Sequence, residues 1–66
     1  MSRMWTPQSI EIYKSWVDAL IMEASDELSQ WEQDFVLSIQ NRLTSGANLT
    51  ESQANKLEQL YAAKTG

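Results

Sequence analysis

Carboxylates are the main reactive groups in this chain. Six of them fall between residues 18 and 34 with no base among them: Asp18, Glu23, Asp26, Glu27, Glu32 and Asp34. Carboxylates can act as general acids and bases or bind cations, but these lack the alternating spacing and central Gly of a calcium loop. The chain has no His and no Cys, which removes the common zinc ligands and nucleophile–base pairs. We therefore expect no enzyme, no metal site and no cofactor.

The same charges bear on the choice of partner. The net charge is −4 at pH 7, and the five Lys and Arg residues are scattered along the chain. Nucleic-acid binding needs clustered bases, so we favour a protein partner over a nucleic acid. Asp26 and Glu27 form the predicted acidic partner surface. A lower-ranked hypothesis is that the acidic segment mimics nucleic acid.

Capping signals predict three helices. Thr6 as N-cap with Pro7 at the first helical position predicts a helix over 7–24. A capping box of Ser29 and Glu32 starts a second helix, over 30–44, and Gly46 ends it. A further cap in "LTESQ", at residues 49 to 53, predicts a third helix over 51–63.

These helices predict an all-α fold in one small domain spanning residues 1–66. The short segment "SGANL" joins the second and third helices, which we expect to form an antiparallel hairpin. The first helix packs against that hairpin. One alternative stays open, because no Gly or Pro interrupts residues 8 to 45. The first two helices would then be one long helix, although Ser25, Asp26 and Ser29 favour a break.

Apolar periodicity predicts the core and leaves some apolar residues over. The expected core comprises Tyr13, Val17, Leu20, Leu28, Trp31, Phe35, Ile39, Leu43, Leu57, Leu60 and Tyr61. The candidate interface comprises Ile12, Trp16, Ala19 and Leu37. A core in 66 residues is small, and without Cys or His neither a disulfide nor zinc can reinforce it. We therefore expect a homodimer.

The N-terminal segment "MSRMWTPQS" lacks the apolar stretch of a signal peptide, and no apolar run is long enough to span a membrane. We expect a cytoplasmic protein with no membrane partner.

Thirteen residues of the second half form a wider pattern: Ser29, Trp31, Glu32, Phe35, Ser38, Ile39, Leu43, Gly46, Leu49, Thr50, Gln53, Leu57 and Tyr61. This pattern resembles a helical-hairpin module of phage and bacterial proteins. Some members are attached to DNA-metabolism proteins, and others are small early-region accessory proteins of lambdoid phages. The resemblance covers residues 28 to 64 and transfers no catalytic residue. It implies a phage-like accessory role in the host cell cytoplasm.

Together these observations predict a non-enzymatic accessory protein that binds and modulates a host or phage protein. The alternative is a nucleic-acid-binding accessory protein of phage DNA metabolism, which the module's usual context suggests.

Overall fold

A computed structural model describes residues 4–65; residues 1 to 3 and Gly66, which the predicted domain includes, lie outside that range. It contains α1 (Ile10–Ala24), a single 3₁₀ turn (Ser25–Glu27), α2 (Gln30–Thr44) and α3 (Glu51–Thr65). No strand occurs over residues 4–65. The all-α, three-helix prediction is confirmed, and the domain measures 41 × 26 × 18 Å.

The caps of α2 and α3 lie where the sequence places them. The Ser29 hydroxyl accepts from the Glu32 N–H, and the Glu32 carboxylate accepts from the Ser29 N–H at 2.8 Å. Thr50 and Gln53 exchange the same pair of bonds. Gly46 closes α2 with φ at +91°, in the left-handed region that glycine tolerates best. Because α1 and α2 are separate, the long-helix alternative is wrong.

The predicted start of the first helix at residue 7 is also wrong. The helix begins at Ile10, and Ser9, with extended backbone, is its N-cap. Gln8 is held outside the helix by two hydrogen bonds. Its N–H donates to the Tyr13 hydroxyl at 2.9 Å, and its carbonyl accepts from Asn48 Nδ2 at 2.9 Å. Helix α3 ends at Thr65, two residues beyond Ala63, where the sequence predicts its end.

Helix α1 is the central element and packs against both α2 and α3. Two depressions lie along the contact between α1 and α2. One is lined by residues from the end of α1 and the start of α2, and the other by residues from the start of α1 and the end of α2. These two helices therefore run in opposite directions. Helix α3 runs in the same direction as α1, since Gln8 meets Asn48 before α3 and Trp16 stacks on Tyr61 within it.

Eleven side chains form one connected core: Tyr13, Val17, Leu20, Leu28, Val36, Ile39, Leu43, Leu49, Ala54, Leu57 and Leu60. Leu20 and Leu57 have no exposed surface at all. The core contains no buried charged residue among the described positions, so its stability comes from apolar burial. None of the helices within the described range is both long and apolar enough to cross a membrane.

Candidate functional site

An apolar groove lies between the end of α1 and the start of α2. Its volume is about 140 Å³. The lining residues are Ile21, Ser25, Leu28, Gln33, Val36 and Leu37. Leu28 and Val36 are buried and form its floor, whereas Leu37 remains 50% exposed at its edge. Gln33 is exposed, and its Nε2 donates to the Leu28 carbonyl at 3.2 Å.

Acidic side chains surround this groove. Asp26 and Glu27 occupy the 3₁₀ turn between two lining residues, Ser25 and Leu28, and both are exposed. Asp34 is exposed one turn before Leu37, and its Oδ1 accepts from Gln30 Nε2 at 3.2 Å. An apolar surface with acidic neighbours is suited to a partner that carries both apolar and basic groups.

A second, more polar depression of about 170 Å³ continues along the same side of α1 and α2. Its lining residues are Lys14, Val17, Asp18, Gln40, Leu43 and Thr44. The line of contact between α1 and α2 that joins the two depressions is called the α1–α2 seam below.

Trp16, a candidate interface residue, lies against the other side of α1. Its ring stacks on Tyr61 of α3, with centroids 5.3 Å apart and planes 20° apart. Tyr13 meets it edge-on at 5.4 Å. Trp16 is only partly exposed, so much of its surface already contacts its own chain.

The prediction that Trp31 belongs to the core is wrong, because 54% of its side chain is exposed. Trp31 lies on the side of α2 that faces α3. The side chain of α3 that reaches it there is the long polar side chain of Lys56. Lys56 Nζ stands 5.1 Å from the centre of its ring, and Phe35 meets the ring edge at 6.5 Å. Phe35 and Tyr61 are half-buried, whereas the other eight predicted core residues are buried: Tyr13, Val17, Leu20, Leu28, Ile39, Leu43, Leu57 and Leu60.

The four candidate interface residues do not lie on one surface. Leu37 shares the groove with Ile21, whereas Trp16 contacts α3. At 100° per residue, Trp16 and Ile21 point about 140° apart around α1. Ile12, 41% exposed, and Ala19, half-buried, follow Trp16 on the α3 side. Sequence periodicity assigned Ile21 and Val36 to core faces, and the off-face position of Leu37 was the available signal for the groove.

Glu32 is the carboxylate that caps α2. The hydrogen bond from the Ser29 N–H is the main cause that lowers its pKa; desolvation opposes this, while the Ser29 hydroxyl and, at longer range, Lys64 lower the pKa further. Glu32 is therefore a charged capping group at neutral pH. Across residues 4–65, no three acidic side chains cluster as a metal site requires.

Two of the bases near α2 and α3 already have partners within the chain. Arg42 Nε donates to the Asn48 carbonyl at 2.7 Å, and Lys56 stands over Trp31.

Comparisons with protein-family models, curated proteins and solved structures give no match to this chain.

Proposed function

We propose that this protein is a non-enzymatic accessory protein that binds and modulates a protein partner through the apolar groove between α1 and α2. The observation that carries the proposal is Leu37, a large apolar side chain left 50% exposed beside further apolar surface. A groove of about 140 Å³ is smaller than the roughly 300 Å³ at which small-molecule sites begin. It is large enough for one apolar side chain of a partner, the usual anchor of a protein interface.

The test is capture of proteins from a lysate of the source cell by three tagged forms of the chain. These are the wild type, Leu37→Asp and Gln59→Asp, the last being a control. Gln59→Asp also adds a carboxylate, at an exposed position of α3 that does not line the groove. We expect a protein that the wild type and Gln59→Asp retain and Leu37→Asp loses. The proposal fails if every captured protein is indifferent to Leu37→Asp.

We further propose that the chain forms a homodimer through the exposed strip containing Ile12 and Ala19, at the edge of which Trp16 lies. Support comes from the 41% exposure of Ile12 and from the small size of the core. Sedimentation equilibrium at micromolar concentration measures this directly. Ile12→Asp should yield a monomer, whereas Leu37→Asp should not, and a 7.6 kDa wild-type monomer would contradict it.

Pairing of α2 and α3 as an antiparallel hairpin belongs to the same proposal. The short connection closed by Gly46, and the Arg42 bond to Asn48 across it, support that pairing. Crosslinking between residues 32 and 64 tests it, because an antiparallel pair brings these positions close. We propose cytoplasmic action for the chain, and a phage-like origin follows only from the resemblance described above.

The nucleic-acid alternative has one feature in its favour, the exposed Trp31 ring, since aromatic rings can stack on bases. Lys56 already occupies a face of that ring, and Arg42 is engaged in the loop. A gel-shift titration at low salt with single-stranded and double-stranded DNA decides between the classes. If DNA binds at micromolar protein concentration and both Trp31→Ala and Lys56→Ala abolish the binding, nucleic-acid binding would replace the proposed function. The lower-ranked hypothesis, that the acidic segment mimics nucleic acid, predicts instead that the chain competes with DNA for a shared protein.

A further inference from the structure

The two depressions on the α1–α2 seam repeat at an interval of seven residues. On α1, Lys14 and Asp18 of the polar depression correspond to Ile21 and Ser25 of the apolar groove. On α2, Gln33, Val36 and Leu37 of the groove correspond to Gln40, Leu43 and Thr44 of the polar depression. The same interval on both helices is the spacing of two α-helical turns, about 10 Å.

A surface with this repeat is suited to contact with a helix of a partner protein. In coiled coils a side chain of one helix inserts into a hole formed by four residues of the facing helix, and equivalent holes recur every seven residues. The apolar groove has the volume for one large aliphatic or aromatic side chain. The second depression offers Asp18, Lys14, Gln40 and Thr44, and so it suits a polar side chain.

The charges beside the two depressions indicate which residues the partner helix should carry. At the apolar end Asp26, Glu27 and Asp34 are exposed, and along the chain no base lies between Lys14 and Arg42. Two bases of α3 approach the start of α2, Lys56 over Trp31 and Lys64 near Glu32, but neither lines the groove. Asp18 in the polar depression has Lys14 one turn away, so the exposed carboxylates on the groove side lie mainly at its apolar end. Complementarity therefore favours Lys or Arg around the apolar anchor of the partner.

We infer that the α1–α2 seam binds a basic amphipathic helix. This helix carries one large apolar side chain in the groove at Leu37, Lys or Arg beside it, and a polar side chain seven residues away in the depression at Asp18. The inference rests on the proposed function and specifies the chemistry of the partner segment.

The experiment is a selection from a displayed library of helical peptides about 18 residues long, a length that spans both depressions. The anchor position, the positions flanking it and the positions seven residues away are randomised, and the purified full chain is the bait. We expect enrichment of Leu, Met, Ile or Phe at the anchor, Lys and Arg beside it, and a polar residue at the seven-residue spacing. Equal enrichment of acidic flanks, loss of the spacing, or no enrichment would overturn the inference.

Binding of the selected peptide is then measured by fluorescence anisotropy against variants of the chain. Leu37→Ala should weaken binding about fivefold to tenfold, the ratio that corresponds to roughly 1 kcal/mol of lost apolar contact. Asp26→Asn combined with Glu27→Gln should weaken it about threefold or more at low salt and flatten its salt dependence. Gln59→Ala, at an exposed position of α3 that lines neither depression, is the control and should leave the affinity unchanged. Equal effects of Gln59→Ala and Leu37→Ala would place the peptide elsewhere and refute the seam.

The two proposals can fail separately. A captured cellular protein that depends on Leu37, together with a library that yields no basic helix, would refute the partner chemistry and leave the proposed function standing. A selected helix that binds the seam, with no cellular protein dependent on Leu37, would refute the proposed function alone.

Discussion

Replacing Trp16 by Ala should lower the free energy of unfolding by more than the same change at Trp31 does. The two residues differ in what covers them. Trp16 is partly buried between Tyr13 and Tyr61, while Trp31 is 54% exposed and contacts Phe35 and Lys56 at its edge and face. This order is the reverse of the one that the sequence suggests, in which Trp31 belongs to the core and Trp16 to an interface.

The size of each effect follows from these contacts. Trp16 is more buried than Trp31 and removes roughly 150 Å² from water, worth about 4 kcal/mol at 25 cal/mol per Å². Its two ring pairs add about 0.5 to 1.5 kcal/mol each, so Trp16→Ala should cost about 5 to 7 kcal/mol. Trp31 removes roughly 100 Å² from water, worth about 2.5 kcal/mol, and it has one edge contact and one exposed cation–π contact, so Trp31→Ala should cost about 3.5 to 5 kcal/mol. A domain of 66 residues has a total stability of about 3 to 10 kcal/mol, so both losses are measurable.

Urea unfolding followed by the helical circular dichroism signal measures both losses without depending on Trp fluorescence. Each curve should be recorded at two protein concentrations, because a dimer would make the midpoint depend on concentration. Trp16→Phe is the conservative control, since it keeps an aromatic ring between Tyr13 and Tyr61, and it should recover more than half of the loss. A Trp31→Ala cost equal to or larger than that of Trp16→Ala would refute the reasoning.

Four further predictions concern the caps and the N-terminal segment. Ser29→Ala should lower the free energy of unfolding by about 1 kcal/mol in urea titrations, as the loss of an N-cap does. The pKa of Glu32 is lower in the folded chain than its ordinary value of 4.5. The stabilisation that ionised Glu32 provides is therefore complete above pH 4.5 and is lost as the pH falls through the folded pKa. In Glu32→Gln the free energy of unfolding should decrease less over this acidic range than it does in the wild type. Gly46→Ala should lower the thermal midpoint by the equivalent of about 1 kcal/mol, because φ at +91° is strained for Ala although no atom lies within 4 Å of the added carbon. Tyr13→Phe should speed hydrogen exchange of the Gln8 amide in NMR spectra, since its acceptor is removed, and unchanged exchange would show that this bond is not formed in solution.

The sequence predicted the features that depend on neighbouring residues. The caps at Ser29 and Thr50 and the glycine at Gly46 satisfy backbone groups within a few positions of themselves, so their patterns can be read directly. The start of α1 was missed because two local caps compete, Thr6 and Ser9, and the structure uses Ser9, whose hydroxyl accepts from the Ile12 N–H. The distant contact of Asn48 with the Gln8 carbonyl, 40 residues apart, accompanies this choice and is not visible in the local pattern.

The groove and the exposure of Trp31 were missed for a related reason. Periodicity identifies which side of a helix is apolar, but it does not identify which neighbour covers that side. Trp31 lies on the side of α2 facing α3, where Lys56 rather than an apolar side chain reaches it. The gap that Ile21 and Val36 line arises from the packing of α1 against α2, which periodicity within one helix does not describe.

The placement of the seam and the aromatic stack on opposite sides of α1 has an evolutionary consequence. Ser25 and Leu37 at the rim of the groove are exposed, so substitutions there should change stability little, whereas Trp16 and Tyr61 hold α1 to α3. Substitutions at separated sites act nearly independently. The rim can therefore diversify as partners change while the stack keeps the fold, and a family built on this scaffold would vary most along the seam.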